Sequence, residues 1–381
     1  MALAAEPAIA WPDTHSDRAP NRPVDERARL GRLCDQVAAA YDSARGGFVD
    51  RTGAPCESAV ELGLLIGRDE ADAGWKRRAL ATLDWSRSLM DTVSGGFVTR
   101  RPRSSAEGAA FETRTDVNGR RLAALLSAWR ATGDERYRKD AGRVAGFMDR
   151  VLLDGRGGFV SAQVGDRVLE PAANGVAIHA WLTWAAANAD PAARDFALRS
   201  IERVWQTGFD PLGVLLRRGT LNEVLMWPQL TDQVEMGRAL VLAWRLCGRA
   251  KDLERAGGLG RVMIDKFEDP ARGGFMTRAR PKKDGSIHRA PRDAAENARA
   301  SLFLAELAAA TGEREFHEAG RRAWAACESM GEKPGLAAAD WALAQRALLD
   351  PEPPTPPTWR AAAADLPEAP TVIFRSRGGR R

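Results

Sequence analysis

The chain has little of what metal, redox and membrane functions are built from. Its four cysteines (Cys34, Cys56, Cys247, Cys327) lie far apart and form no CxxC or zinc spacing. That pattern fits reduced thiols and a cytoplasmic protein, although a chain trimmed of a leader would read the same. Only four histidines occur in 381 residues, with no Cys/His cluster of the zinc-cyclase kind. A Walker loop, a dinucleotide fingerprint and an Asp-rich terpene-cyclase element are also missing, so neither a metal nor a cofactor is expected. No uninterrupted apolar run of about 18 residues exists, which removes a transmembrane helix and, with it, a membrane partner. Met1 to Trp11 has no basic region, so it does not read as a signal peptide. Charge of one sign is scarce too. The net charge is +5, and Arg375, Arg377, Arg380 and Arg381 at the extreme C-terminus account for four of it. The body is close to neutral and no nucleic-acid partner is expected. The arginine tail is the one segment suited to an acidic partner.

What the chain does have is a repeated phrase: an acidic residue, a short spacer, then Gly-Gly-Phe. It occurs at Asp42…Gly46-Gly47-Phe48, Asp91…Gly95-Gly96-Phe97, Asp154…Gly157-Gly158-Phe159 and Asp269…Gly273-Gly274-Phe275. A worn copy, Gly208-Phe209-Asp210-Pro211-Leu212-Gly213, sits between the third and the last. The Phe positions step by 49, 62, 50 and 66 residues, wider than the roughly 33–47-residue periods of helical solenoids.

Between an irregular arm (1–24) and a Pro-rich, basic tail (351–381), residues 25–350 alternate two kinds of helical pattern. The segments 25–42, 72–91, 134–153, 191–207, 251–268 and 313–330 are charged on one side. The segments 57–67, 116–131, 172–188, 232–247, 294–310 and 335–349 are richer in Ala and Leu, and lines such as Val176-Ala-Ile-His-Ala-Trp-Leu-Thr-Trp184 are apolar almost all round. A helix apolar on every side is buried on every side. Six such helices wrapped by six amphipathic ones make an all-α toroid, the (α/α)6 barrel. The glycines allow a tight reversal between outer and inner helices. Short β-prone pieces after them, such as Phe97-Val-Thr-Arg100, predict small β-hairpins on that face. The N-termini of the inner helices then ring a common funnel.

Laid out in this way, the chain resembles the six-hairpin glycosidase superfamily over roughly residues 35–345. Within it, the chain is most similar to the helical part of the thioredoxin-domain-containing family typified by spermatogenesis-associated protein 20. The resemblance rests on Gly46-Gly47-Phe48 with Ala54-Pro55, on Phe111-Glu112 with Asn118, and on Gly157-Gly158-Phe159-Val-Ser161-Ala-Gln163. It implies a carbohydrate-related function. The family's thioredoxin Cys pair is not present, and Cys56, Ala110 and Val164 stand where its pattern has Lys, His and Asp. No redox role is therefore expected.

The funnel predicts a polar constellation. Asp116, Asp232 and Glu235 are the expected catalytic carboxylates, since glycoside hydrolysis needs one acid to protonate the leaving oxygen and a second to face the developing charge or activate water. Glu112, Asn118, Gln163, Asn174, Trp227 and Asn297 are expected to bind a small carbohydrate, the amides through its hydroxyls and Trp227 by stacking. The same acids also fit N-terminal capping patterns: Ser58-x-x-Glu61, Thr113-x-x-Asp116, Asp232-x-x-Glu235 and Asp293-x-x-Glu296. An alternative is a sugar epimerase in which His179, paired with His288, moves a proton beside a carbonyl. A further alternative is a non-catalytic scaffold. The loop Thr277–Arg292 carries six basic residues and, with Arg100, Arg101, Arg103 and Arg114, predicts a rim suited to an anionic sugar.

Overall fold

The computed structural model describes residues 23–99, 113–163, 168–210, 213–217, 228–279, 291–328, 330 and 335–351. Twelve α-helices occupy them: α1 (Pro23–Ala39), α2 (Glu57–Asp69), α3 (Ala73–Ser86), α4 (Thr115–Thr132), α5 (Glu135–Phe147), α6 (Pro171–Ala187), α7 (Pro191–Gly208), α8 (Leu230–Cys247), α9 (Ala250–Lys266), α10 (Ala294–Thr311), α11 (Arg314–Glu328) and α12 (Ala338–Leu349). The even-numbered helices pack side by side in a closed ring, and the odd-numbered ones wrap it. This is the (α/α)6 toroid that the alternating patterns predict. Of the outer helices, each inner helix packs most closely on the one that follows it, and α12 packs on α1. The first helix thus completes the last hairpin, so ring closure joins the two ends of the domain.

Short turns connect inner to outer helices on one face. Gly133, Gly248 and Gly312 take positive φ (69°, 68° and 73°) and end α4, α8 and α10 by donating back into the last turn. Asp72, Asp134 and Asp190 follow their turns and cap α3, α5 and α7 by accepting backbone N–H bonds. In two of these turns the left-handed position falls on alanine, Ala71 (φ 54°) and Ala189 (φ 48°).

The longer connections on the other face carry the repeated phrase. In each, the aspartate side chain accepts from backbone N–H groups two or three residues ahead, as Asp42 does from Ala44 and Arg45 and Asp269 from Ala271 and Arg272. Phe48, Phe97, Phe159 and Phe275 are all 0% exposed, each burial contributing about 2–3 kcal/mol. The predicted β-hairpins are replaced, among the described residues, by isolated antiparallel bridges such as Met90–Phe97, Leu153–Phe159 and Glu268–Phe275. The physical reason is length: the preceding outer helical segment runs to within one residue of each of these bridges, so its strand has no extended residues left for a second ladder step.

One inner-helix amide fastens each of the four later turns, whereas in the first the Phe48 N–H donates to the Thr82 hydroxyl of α3 (2.9 Å). Asn118 accepts from the Phe97 N–H (2.7 Å) and donates to the Phe97 carbonyl (3.1 Å). Asn174 treats Phe159 in the same way (2.8 and 2.8 Å), as Asn297 does Phe275 (2.6 and 2.8 Å). Gln233 clamps Leu215 (2.9 and 2.9 Å). The worn copy of the phrase is thereby resolved. Its equivalent of Phe159 is the fully buried Leu215, whereas Phe209, the Phe visible in the sequence, is 38% exposed. Gly274 shows why glycine precedes the clamped residue: a Cβ there would lie 2.7 Å from the Asn297 oxygen, and its φ is 69°.

Candidate functional site

The lumen of the ring is lined by three tiers of polar side chains along the inner helices. The outermost tier lies at their first turns. Asp116, about one-third exposed, accepts from Arg114 at 3.0 Å. Asp232 is fully buried, caps the neighbouring helix by accepting from the Ala172 N–H (3.0 Å), and binds Arg217 through both oxygens (3.2 and 3.1 Å). Arg217 also reaches Glu170 at 3.5 Å. Burial, opposed by Arg217, pushes the Asp232 carboxyl up to about 6. Asp293 caps α10 by accepting from the Glu296 N–H at 2.8 Å. The Glu296 carboxyl does not return the bond, and its Oε2 is buried without a hydrogen-bond partner. Desolvation, then the charges of Asp293 and Asp232, raise Glu296 to about 7.

One helical turn deeper, five inner helices are joined by a single ionic web. Glu235 of α8, 5% exposed, accepts from Arg299 of α10 (Nε 2.7 Å) and from Arg120 of α4 (3.1 Å). Arg299 continues to Asp340 of α12 (3.4 Å), which accepts from Ser58 of α2 at 2.6 Å. Because α6 separates α4 from α8 in the ring, the Arg120–Glu235 pair crosses the lumen. Gly175 of α6 permits the close approach of α8, since a Cβ there would lie 2.4 Å from the Glu235 carbonyl carbon. Burial alone would raise Glu235, but the positive charges of Arg299, Arg120 and Arg238 overcome it and hold the carboxylate at about 2.

In the deepest tier Arg238 and Glu306 form a bidentate pair (3.0 and 2.8 Å). Beside it stands His179, whose imidazole is held neutral, down to about 4, by desolvation and then the Arg238 charge. Glu61 also faces this pair and is raised by burial.

The structure brings Asp232, Glu235 and His179 onto the lumen wall and places Asp116 at its mouth. The amides behave differently. Both N–H donors of Asn118, Asn174 and Asn297 are used, one on the clamped Phe carbonyl and one on the backbone four residues back (Arg114, Glu170 and Asp293). None keeps a donor for a ligand. Gln163 is exposed and tied to Thr113, accepting from its hydroxyl at 2.7 Å. Glu112, Trp227 and His288 lie outside the described residues, as do residues 280–290 of the basic loop. Arg292 is engaged on the Arg272 and Gly273 carbonyls (2.8 and 2.7 Å). Three of the four capping patterns are not realised: the helix-start positions fall on Cys56, Arg114 and Gln229, and only Asp293 caps as the pattern predicts.

Arg238, Glu306 and Asp340 were not singled out from sequence. Their signal was a charged residue on helices otherwise apolar nearly all round. Among the described residues no group of three or more His, Cys, Asp or Glu could hold a metal ion, and no helix is long and apolar enough to cross a membrane.

No protein-family model matches the chain, and no curated protein matches it in sequence. Solved structures do match in fold. A D-mannose isomerase superposes with a TM-score of 0.66 at 14% identity, covering 82% of this chain and 88% of the other. A cellobiose 2-epimerase from Bacillus thermoamylovorans gives 0.66 at 10%, covering 84% and 100%. A glycoside hydrolase family 76 mannosidase from Bacteroides thetaiotaomicron gives 0.63 at 12%, covering 84% and 98%. The chain shares the (α/α)6 toroid fold of these structures.

Proposed function

We propose that the protein binds and processes a carbohydrate in its lumen, with Glu296 as proton donor and Glu235 as the ionised carboxylate. One observation carries this reading. On adjacent inner helices, about one turn apart in depth, two carboxyl groups sit in opposite environments. Glu296 is desolvated beside other acids and keeps its proton to about 7, while Glu235 is clasped by arginines and stays charged to about 2. Two carboxyls pushed apart in this way suit the acid and carboxylate roles of glycoside chemistry. Glu296 would give its proton to the leaving oxygen while Glu235 faces the positive charge growing on the sugar ring. The resulting Glu296 carboxylate would then take a proton from the incoming water, restoring both groups.

Asp116 and Asp232 are assigned to orienting substrate through their arginines. Arg114 and Arg217 at the mouth suit an anionic sugar. The sugar-processing roles in the names of the neighbouring structures support carbohydrate as the ligand class. The finer resemblance, to the thioredoxin-domain-containing family, draws on phrases that here fasten the fold: Asn118 clamps Phe97, Phe159 is clamped in turn, Pro55 bridges Val49, and Gln163 is tied to Thr113. A second reading, proton transfer beside a sugar carbonyl, is favoured by the neutral His179 on the lumen wall.

The test is aryl alcohol release from a panel of neutral and uronic aryl glycosides, measured against pH. The expected activity falls about tenfold per unit above pH 7 as Glu296 loses its proton, and Glu296→Gln and Glu235→Gln each lower kcat by at least about 100-fold. Full activity in Glu296→Gln would exclude the assignment. Solvent exchange of the sugar C2 proton without hydrolysis, lost in His179→Gln, would replace it with the histidine reading.

A further inference from the structure

The lumen's polar tiers do not end at the Arg238–Glu306 pair. A cavity of about 410 Å³ opens at the far face, among the C-terminal halves of α2, α10 and α12 and the end of α8. From the arrangement of its charges we infer that this cavity is a second ligand site, distinct from the Glu296–Glu235 tier, and that it takes a primary alkylammonium with the ammonium on Glu61.

The argument starts from the pairing of the lining charges. Asp69 holds Arg68 and Arg346 (2.5 and 2.7 Å), Asp350 holds Arg27 (2.8 Å), and Glu306 holds Arg238 and also feels the charge of Arg245, the remaining cation of the lining. Glu61 is the one carboxyl of the lining without a partner among the described residues. It lies deep in the barrel and yet is open to solvent, because the cavity leads to it. Asp69, at the other end of α2, is eight residues away, about 12 Å along the helix. Between them the wall is aliphatic, formed by Leu65, Leu302, Ala305, Leu343 and Ala347. A ligand that matches this surface carries one hydrogen-bond-donating charge at its inner end and a linear apolar body.

The sign of that charge follows from two facts. A carboxylate is acceptor-only, so its complement donates. The cavity also lies toward the C-terminal ends of four helices, where the aligned peptide dipoles present their negative pole. An anionic head would face that pole as well as Glu61. A neutral alcohol would fill the space but gain only a neutral hydrogen bond, which is weaker than a charge-assisted one.

Calorimetric titration of the full-length protein with hexan-1-amine hydrochloride, with hexan-1-ol as the neutral probe of equal length, tests the assignment. The expected result is saturable one-to-one binding of the amine, at least tenfold tighter than the alcohol. Glu61→Gln should weaken the amine at least tenfold and leave the alcohol unchanged. Ala347→Phe, which fills the cavity from a half-buried position without altering charge, should weaken both. Circular dichroism of each variant confirms that it is folded. Absence of saturable amine binding to the parent, equal affinity for the alcohol, or amine binding unaffected by Glu61→Gln would each overturn the proposal. The outcome is independent of glycosidase activity, because neither probe is a sugar and the Glu296–Glu235 tier is unaltered.

Discussion

The amide tier and the ionic web lie two residues apart on the same inner helices, yet they follow opposite rules. Asn118, Asn174, Gln233 and Asn297 do one job four times, each closing two hydrogen bonds on the residue at the end of a repeated turn. Two positions further along stand Arg120, Val176, Glu235 and Arg299, which follow no common residue type; Arg120 and Arg299 both reach Glu235, the former across the lumen. A residue that recurs with the repeat serves what every hairpin needs, which is the fastening of its turn. A polar residue that breaks the repeat has no such task, and its burial cost must be met by partners from other hairpins. Function is therefore expected where the repeat is broken.

The sharpest way to break the comparison is to remove a clamp. Asn174→Leu should leave the buried Phe159 N–H and carbonyl unpaired and destabilise the fold by about 3 kcal/mol or more, because each unmet buried group costs about 1–3 kcal/mol. Urea unfolding followed by circular dichroism would measure it, and a cost below about 1 kcal/mol would deny the amides their structural role. Glu235→Gln should cost less, about 1–2 kcal/mol. Arg120 and Arg299 lose their anion, but both guanidinium groups are partly open to water. In the same variant sugar turnover should collapse, which separates the two tiers: stability falls most in the clamp, activity most in the web.

Glu296 sharpens the contrast through pH. Its carboxyl is raised in the folded protein, so the native state holds the proton more tightly than the unfolded chain does. The stability this confers is fully present below the unfolded value near 4.5 and is lost as pH rises to about 7. Glu296→Gln should thus leave a protein whose melting temperature declines less than the parent's between those limits, read by parallel thermal scans. The smallest effect belongs to the far-face turns. Ala71→Gly and Ala189→Gly relieve positive φ at alanine and should each stabilise by about 0.5 kcal/mol, the relief of roughly 1–2 kcal/mol being partly offset by glycine's greater unfolded freedom. Loss of stability in both would show that these turns do not set the limit.

The sequence carried the helices with little error. The predicted inner segment 172–188 is observed as Pro171–Ala187 and 232–247 as Leu230–Cys247, because an all-round apolar pattern bounded by Gly and Asp leaves few alternatives. It was less legible where a residue type serves two purposes. Asparagine at a helix N-terminus looks the same whether it meets a sugar hydroxyl or a peptide group, since an amide side chain imitates both. Phe209 in the worn repeat looked like its neighbours, yet the register places Leu215 in the core instead. The predicted hairpins shrank to single bridges, as the helical segment that ends just before each bridge leaves no extended residues for a second pair.

Sequence by itself determined the number, order and type of the helices, the toroid they close, and the turns that recur between them, since each follows from periodicity and local backbone preference over a few neighbouring residues. The tertiary structure alone decided which carboxyls carry a proton. Glu235 and Glu296 are the same residue near the start of similar helices, separated by their surroundings: arginines from two other helices reach the first, whereas at the second burial and the neighbouring acids outweigh the more distant charges of Arg217 and Arg278. Electrostatic energy depends on distances through space, and contacts 64 and 115 residues apart along the chain leave no local mark in the sequence.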